Sequence, residues 1–188
     1  MKNLLRVCLL LLAPAAAAQP LKIVNVSSPA IQCAFSPRCR VSVEDLSSPV
    51  AMSGFLQSRN YKAAAGLYVY EYRIDLRDAV GAHGITTLTI DVGPNAKFDF
   101  NGDGRKDDVF VTTKGNLGNV GLRSAVRSGN RITFTFQPPV AGGSGPGRGD
   151  STYFFGVVSR YPRHNVTASA AGLAGAPLLL DAWAPLYR

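Results

Sequence analysis

The side chains with the clearest chemistry lie in one glycine-rich stretch, residues 99–107. Oxygen-bearing side chains stand at its positions 1, 3, 5 and 9, which are Asp99, Asn101, Asp103 and Asp107. A hard cation such as calcium needs about six to eight converging oxygens, and alternate residues of a tightly curled loop all point inward. Gly104 at position 6 permits the sharp turn, and the carbonyl of Arg105 at position 7 adds an oxygen. The spacing therefore predicts a structural calcium site.

The residues after this stretch exclude a helix-loop-helix EF-hand. An EF-hand carries a bidentate Glu at position 12, where this chain has Phe110 inside the apolar run 109–111, which is typical of a strand. Asp108 is an alternative ligand. The competing interpretation is a metal-free turn, because Asp, Asn and Gly are also the favoured turn residues. Catalysis by calcium here is not expected, since no histidine stands nearby and calcium is a weaker Lewis acid than zinc.

The pattern D-x-N-x-D-G-x-x-D followed by an apolar strand resembles the calcium loops of integrin alpha-chain FG-GAP repeats, and is similar to dockerin and thrombospondin-type loops. The resemblance covers about a dozen residues. It implies side-chain ligands at Asp99, Asn101, Asp103 and Asp107, and a backbone ligand at Arg105. Only one copy of the pattern occurs, which excludes a repeat architecture such as a propeller.

The start of the chain predicts export. A basic start, an apolar run and a small-residue stretch make residues 1–18 a secretory signal, so the mature protein begins at Gln19 and is secreted or periplasmic. The apolar run is shorter than the roughly 20 residues that a membrane span needs, and Pro14 interrupts it, so no transmembrane segment is predicted.

The cysteines support the same compartment. Removal of the signal takes away Cys8 and leaves Cys33 and Cys39, which we expect to form a disulfide. A ring of this size removes about 2 to 2.5 kcal/mol of denatured-state entropy. Neither a C-x-x-C pair nor an unpaired thiol is left, so the prediction is a structural staple and not an active site.

The mature chain, residues 19–188, is predicted to be one all-β domain, an antiparallel β-sandwich with a β-barrel as the alternative. Hydrophobic residues alternate with period two, turn signals recur, and no helical pattern follows the signal. Two turn signals are residues 47–49 and the glycine-rich loop 138–149. The nine or ten expected strands are residues 22–26, 40–45, 54–61, 67–76, 85–92, 108–113, 131–137, 151–159, 166–170 and 178–183.

Aromatic residues offer a possible sugar-binding surface. Tyr68, Tyr70 and Tyr72 share one face of a predicted strand and could stack sugar rings, as could Trp183 near the C-terminus. The same face continues into Ile74, however, so burial in the core is the competing interpretation. Two stretches, residues 66–76 and 151–156, resemble small secreted bacterial proteins of uncharacterised function, which implies a compartment but no activity.

Other functions have weaker support in the sequence. Arg148-Gly149-Asp150 matches the adhesion tripeptide and lies on the glycine-rich loop. No G-x-S-x-G motif or zinc-ligand cluster occurs, so no enzyme is predicted. A glycan hydrolase would need only two carboxylates on one cleft. Four acidic residues stay open for such a pair: Glu44, Asp45, Glu71 and Asp75.

The formal net charge of +8 favours an anionic environment. The arginines are scattered, however, and no nucleic-acid module occurs, so nucleic acid is not a predicted partner. The sequence predicts a secreted, non-catalytic calcium-binding β-sandwich with a structural or binding role. A carbohydrate-binding module is the main alternative, with an anionic or neutral polysaccharide as its partner.

Overall fold

The structure is a computed structural model, and it describes residues 17–51, 53–81, 84–115, 118–172 and 175–187. The signal predicted at residues 1–18 therefore lies almost wholly outside the described residues. Within these ranges, no helix is both long enough and apolar enough to cross a membrane.

The described residues form twelve strands, one short α-helix and one 3-10 turn, Ala64–Gly66. The helix, α1, is Ser28–Phe35. In chain order the strands are β1 Gln19–Pro20, β2 Ile23–Ser27, β3 Glu44–Ala51, β4 Gly54–Lys62, β5 Tyr68–Asp75, β6 Ile85–Asp91, β7 Val109–Lys114, β8 Gly121–Ser128, β9 Arg131–Val140, β10 Phe154–Ser159, β11 Arg163–Gly172 and β12 Leu178–Pro185.

The strands form two six-stranded sheets packed face to face. Sheet one has the order β1-β8-β9-β6-β11-β12, and sheet two has the order β2-β7-β10-β5-β4-β3. All pairings between named strands are antiparallel except that of β2 with β7, which is parallel. The sheets stay separate and do not close on each other, so the predicted all-β sandwich is confirmed over the barrel.

The main core lies between the sheets and follows from the period-two alternation. Ile132, Phe134 and Phe136 of β9 point inward from sheet one, and they face Tyr72 of β5 and Phe155 of β10. A side chain of this size contributes about 1.5 to 3 kcal/mol when it is fully buried. These alternating faces are the part of the fold that positions everything else.

A second, smaller core lies on the outer face of sheet two, beneath α1. Phe35 at the end of α1 has its ring centroid 5.5 to 6.0 Å from four other aromatic rings. We call this group the aromatic cluster: Phe35, Tyr61, Phe98, Phe100 and Phe110. The next turn of chain beyond α1 is closed by the Cys33–Cys39 disulfide, with the sulfurs 2.09 Å apart, which confirms the predicted pairing.

The β12 edge of sheet one is covered by side chains of sheet two. Ser48 Oγ accepts a hydrogen bond from Asp181 N, and Ser58 Oγ accepts one from Trp183 N, each at 3.0 Å. The Tyr72 hydroxyl donates to the carbonyl of Trp183 at 2.8 Å. Three outward-facing backbone groups in the middle of β12 are therefore paired with side chains where a further strand would otherwise be needed.

Four elements differ from the sequence prediction, and one of them, the two-residue β1, is too short to show an alternation. The strand expected at residues 40–45 instead spans Glu44–Ala51 and includes the predicted turn, because Pro49 is tolerated on an edge strand. β8 was not predicted, because a register shift between Leu122 and Ser124 breaks its alternation. α1 was not predicted because its eight residues are too few to show a helical period.

Candidate functional site

Residues 99–106 form a loop that is closed at its base by backbone pairing. Phe98 N donates to the Asp107 carbonyl at 3.0 Å, and Asp107 N donates to the Phe98 carbonyl at 2.9 Å. Gly102 and Gly104 have φ values of 76° and 82°, a conformation that other residues adopt only with strain. The glycine expected to permit a sharp turn is thus one of two that do so.

The Asp99 carboxylate lies inside the curl of this loop. Its Oδ1 accepts hydrogen bonds from Gly102 N at 2.8 Å and Asp103 N at 3.1 Å, and its Oδ2 accepts one from Gly104 N at 2.9 Å. Asn101 and Asp103 are joined by two bonds, Asn101 Nδ2 to Asp103 Oδ2 at 3.0 Å and Asp103 N to Asn101 Oδ1 at 3.2 Å. The side chains at positions 1, 3 and 5 therefore share one turn.

Local hydrogen bonds favour the charged form of Asp103. The Asn101 amide and the backbone N–H of Arg105 both donate to its carboxylate, and they lower the pKa of Asp103 from its ordinary value of 3.8. The positive charges of Arg105 and Lys22 act in the same direction. Asp103 is therefore an anion at neutral pH, as a calcium ligand must be.

Asp107 is held differently from the other three predicted ligands. Its side chain is 4% exposed, and its Oδ1 lies 3.0 Å from the Lys22 ammonium. Lys22 also donates its backbone N–H to Asp108 Oδ2 at 3.0 Å, and Lys97 Nζ lies 3.6 Å from Asp108 Oδ1. A lysine ammonium therefore stands against the loop carboxylate that the spacing assigned to a metal.

The loop is anchored through the residues beside its first acid. Phe98 and Phe100 flank Asp99 in the sequence, and both rings pack in the aromatic cluster with Phe35. Phe100 is 1% exposed and lies 4.9 Å from Phe110, centroid to centroid. The position of Asp99 therefore depends on the small core that α1 covers.

The aromatic residues proposed for sugar stacking are mostly covered. Tyr70 and Tyr72 are fully buried, and the Tyr70 hydroxyl donates to the Tyr161 carbonyl at 2.8 Å. Tyr68 is half-buried beside the main core. Trp183 is also half-buried, and the Arg163 guanidinium lies 4.4 Å from its ring centroid. Stacking a sugar needs an open ring face, which neither Tyr70 nor Tyr72 offers.

The adhesion tripeptide is tied into its loop. Asp150 Oδ1 accepts from Asn119 Nδ2 at 2.6 Å and its Oδ2 accepts from Ala141 N at 3.1 Å. The backbone of Gly149 passes so close to Leu76 that an added Cβ would lie 2.0 Å from the Leu76 carbonyl oxygen. Recognition by an adhesion receptor needs a presented carboxylate, and both oxygens of this one are engaged within the chain.

Each carboxylate left open for hydrolysis has a partner in the described chain. The pairs are Glu44 with Arg163 at 2.6 Å, Asp45 with Arg59 at 2.7 Å, Asp75 with Arg77 at 2.6 Å, and Glu71 with the Tyr61 hydroxyl at 2.8 Å. Glu71 and Tyr61 border a cavity of about 50 Å³, which can hold a water molecule but is far smaller than a ligand pocket.

The described residues also line two larger surface depressions. The first, about 550 Å³, is on the outer face of sheet one and is lined mainly by polar side chains, among them Thr89, Asp91, Arg131, His164, Thr167 and Ser169. We call it the sheet-face cleft. The second, about 440 Å³, is lined by residues 94–97, Lys106, Arg160 and Tyr161. We call it the basic groove.

The sequence prediction missed Lys22 and the residues of the basic groove. Lys22 reaches the loop because β2 pairs in parallel with β7, and no local pattern in the sequence signals this pairing. The groove residues come from the segment before the loop, from the loop itself and from the bend that follows β10. The sequence offered one indication of a basic surface here, the lysine at position 8 of the loop, Lys106.

The fold and this loop together define an all-β two-sheet sandwich with one candidate cation-binding loop. In the described residues, no three His, Cys, Asp or Glu side chains form a group that could hold a metal ion, so the carboxylates of Asp99, Asp103 and Asp107 are not gathered into one three-acid site. The chain matches no protein-family model, no curated protein and no solved structure.

Proposed function

We propose that the protein is a secreted or periplasmic, non-catalytic β-sandwich whose loop 99–107 binds calcium in support of a structural or binding role. The observation that carries this proposal is the shared turn of Asp99, Asn101 and Asp103, whose side-chain atoms lie within hydrogen-bond distance of one another or of the same amides. Calcium would order this turn and, through Phe98 and Phe100, would stabilise the aromatic cluster.

The donor set fits a hard cation in part. Asp99, Asn101 and Asp103 supply oxygen atoms from one turn. Asp99 Oδ2 and both Asp103 carboxylate oxygens each accept one hydrogen bond and retain a lone pair, whereas Asp99 Oδ1 accepts two. The Lys22 ammonium lies 3.0 Å from Asp107, and its charge also acts on Asp103. The loop carboxylates thus already attract one cation. Calcium would have to share Asp107 with Lys22 or displace it.

This competition argues for a weak site. A nearby positive charge opposes a divalent cation, and calcium loops of extracellular modules bind with a Kd of about 10⁻⁴ to 10⁻³ M. At a few millimolar calcium, such a site would stabilise the fold by about 1 to 2 kcal/mol. For a domain of this size, the melting temperature would then rise by about 3 to 6 °C.

The test is a thermal melt of the chain from Gln19 onward, with 5 mM calcium and then with EGTA. Asp103→Ala should abolish the rise in melting temperature, because it removes a central ligand. Asp181→Ala is the matched control, since Asp181 is an exposed aspartate on β12, far along the chain from the loop. Equal melting temperatures with and without calcium in the wild type would reduce residues 99–107 to an ordinary turn.

Lys22→Gln tests whether calcium and Lys22 compete for Asp107. The substitution keeps the backbone bonds of Lys22 to Asp108 and Val109 but removes the ammonium from Asp107. If calcium and Lys22 share this carboxylate, the variant should bind calcium several-fold more tightly than the wild type. An unchanged affinity would remove Asp107 from the ligand set while leaving the other three ligands in place.

A carbohydrate-binding role is the second candidate, and the sheet-face cleft favours it. Its volume of about 550 Å³ lies in the range of ligand sites, and hydroxyl, carboxylate and guanidinium groups line it. Thr89 and Thr133 hydroxyls already lie 3.0 Å apart on this face. Such groups suit sugar hydroxyls, whereas the four aromatic residues predicted for this role are largely covered.

A further inference from the structure

The basic groove combines a fixed shape with positive charge. Ala96 N donates to the Val158 carbonyl at 2.8 Å, and Ser159 Oγ donates to the Pro94 carbonyl at 3.0 Å, so one wall is bonded to the end of β10. The Tyr70 hydroxyl holds the carbonyl of Tyr161 at the other wall. The groove is therefore framed by backbone that is tied to the core.

Three cationic side chains line this groove. Lys97 lies 3.6 Å from Asp108, which is a loose ion pair. Lys106 and Arg160 make neither an ion pair nor a side-chain hydrogen bond with any residue in the described part of the chain. Cations that are gathered in one depression without internal partners raise the local concentration of anionic ligands.

Tyr161 narrows the class of ligand. The residue is 40% exposed at the groove, beside the cations and Pro94, while its backbone carbonyl is held by the Tyr70 hydroxyl. An exposed tyrosine gives a flat apolar face, on which a sugar ring can stack while its acidic substituents reach the cations. A simple inorganic anion or a lipid phosphate would use the charges but not this ring.

We propose that the basic groove binds an anionic polysaccharide, with carboxylate or sulfate groups paired to Lys106 and Arg160 and a sugar ring stacked on Tyr161. The inference rests on the proposed function at one point, because Lys106 belongs to the candidate calcium loop. Calcium that orders the loop would hold Lys106 in the groove and strengthen binding, whereas Arg160 and Tyr161 stand outside the loop.

The primary test is calorimetric titration of the chain from Gln19 onward with an oligogalacturonate, in buffer without added calcium. A neutral maltooligosaccharide of equal length serves as the comparison ligand. Binding of the acidic but not the neutral sugar is expected. Lys106→Gln and Arg160→Gln should each weaken binding about three- to tenfold, and Tyr161→Ala should weaken it by a similar factor. Arg123→Gln, at an exposed arginine of β8 in sheet one, is the charge-matched control and should leave the affinity unchanged.

Several results would overturn the inference. An equal loss of affinity in Arg123→Gln would show that net charge, not the groove, attracts the sugar. Equal binding of the neutral sugar would show that the cations of the groove do not select the ligand. Loss of binding in Thr89→Ala, with the groove variants unaffected, would place the ligand in the sheet-face cleft. Equal affinity for single-stranded DNA or for vesicles rich in phosphatidylglycerol would show a phosphate site without sugar recognition.

A second titration separates this inference from the calcium proposal. A sulfated oligosaccharide is titrated in 5 mM calcium and in EGTA, with the melting temperature recorded in both buffers. Sugar binding in EGTA without any calcium-dependent melting shift would support the groove and reject the metal site. A calcium-dependent melting shift without sugar binding in either buffer would support the metal site and reject the groove.

Discussion

Glu71 on β5 is an acid buried on the outer face of sheet two, beside Tyr61 of the aromatic cluster. Burial raises the pKa of Glu71 above its ordinary value of 4.5, while the hydrogen bond from Tyr61 and the charge of Arg59 act in the opposite direction. The neighbouring Asp75 shows the contrary outcome. Burial also acts to raise its pKa, but hydrogen bonds from Arg77 and the charge of Arg73 bring the pKa below 3.8. The pKa values of two acids on one strand are thus shifted in opposite directions, because in the described chain only Asp75 of the two has arginine hydrogen-bond donors.

The raised pKa of Glu71 predicts a pH-dependent stability. The folded protein holds the Glu71 proton more tightly than the unfolded chain does, so the stabilisation is complete below pH 4.5. It is lost as the pH rises through the folded-state pKa. Glu71→Gln should remove this dependence, so that the variant gains stability relative to the wild type between pH 4 and pH 7. Urea unfolding across this range measures the difference.

Tyr61→Phe provides the check on this prediction. The hydroxyl of Tyr61 stabilises the charged carboxylate, so its removal should raise the pKa of Glu71 further and steepen the loss of stability with pH. Parallel pH profiles for the wild type and Glu71→Gln would contradict the burial argument.

At the scale of elements, the covered edge of β12 is one feature that joins the two sheets. Ser48 of β3 and Ser58 of β4 supply acceptors to backbone N–H groups of a strand in the opposite sheet. Ser58 is fully buried, so water cannot replace its hydroxyl. Small hydroxyl side chains allow the close approach that a longer polar residue would prevent.

Removal of one hydroxyl tests this edge. Ser58→Ala leaves the Trp183 N–H without its acceptor, which we expect to lower the free energy of unfolding by about 1 to 3 kcal/mol. Ser124→Ala is the matched control, because the Ser124 hydroxyl makes no hydrogen bond with the rest of the described chain. Denaturant unfolding of both variants gives the comparison. Equal stability of the two would mean that β12 finds other partners.

Period-two alternation predicted most strands and the two-layer class because a half-buried strand requires that pattern. It did not predict α1, because the eight residues of this helix show no helical period. It also did not predict that β3 continues past Pro49, because only an edge strand permits a proline there. The oxygen donors of loop 99–107 were predictable because their spacing is local. Lys22 was not, since its contact with Asp108 joins residues 86 positions apart in the chain.

At the scale of the whole molecule, the candidate calcium loop, the disulfide and α1 lie on the outer side of sheet two. Phe35 at the end of α1 contacts both aromatic residues that flank Asp99. The sheet-face cleft lies on the outer side of the other sheet. The protein therefore has one reinforced face and one open polar face, separated by the main core.

The disulfide should stabilise the reinforced face. Replacing both cysteines, Cys33→Ser with Cys39→Ser, should cost about 2 kcal/mol of stability. Because α1 covers the aromatic cluster that seats Asp99, the double variant should also show a smaller rise in melting temperature with calcium. Scanning calorimetry with and without calcium measures both effects. A full calcium response in the double variant would show that the loop is seated independently of α1.

The covered edge of β12 also bears on self-association. An uncovered strand edge is a template on which a second chain can add its own strand, and β-rich proteins protect such edges against aggregation. Here the protection comes from Ser48 acting on Asp181, which lie 133 residues apart in the chain. The β12 edge is therefore covered only when β3 and β4 have packed against it, so a chain from which β3 is deleted, or whose sheets have not yet met, leaves the Asp181 N–H open to pairing with another chain.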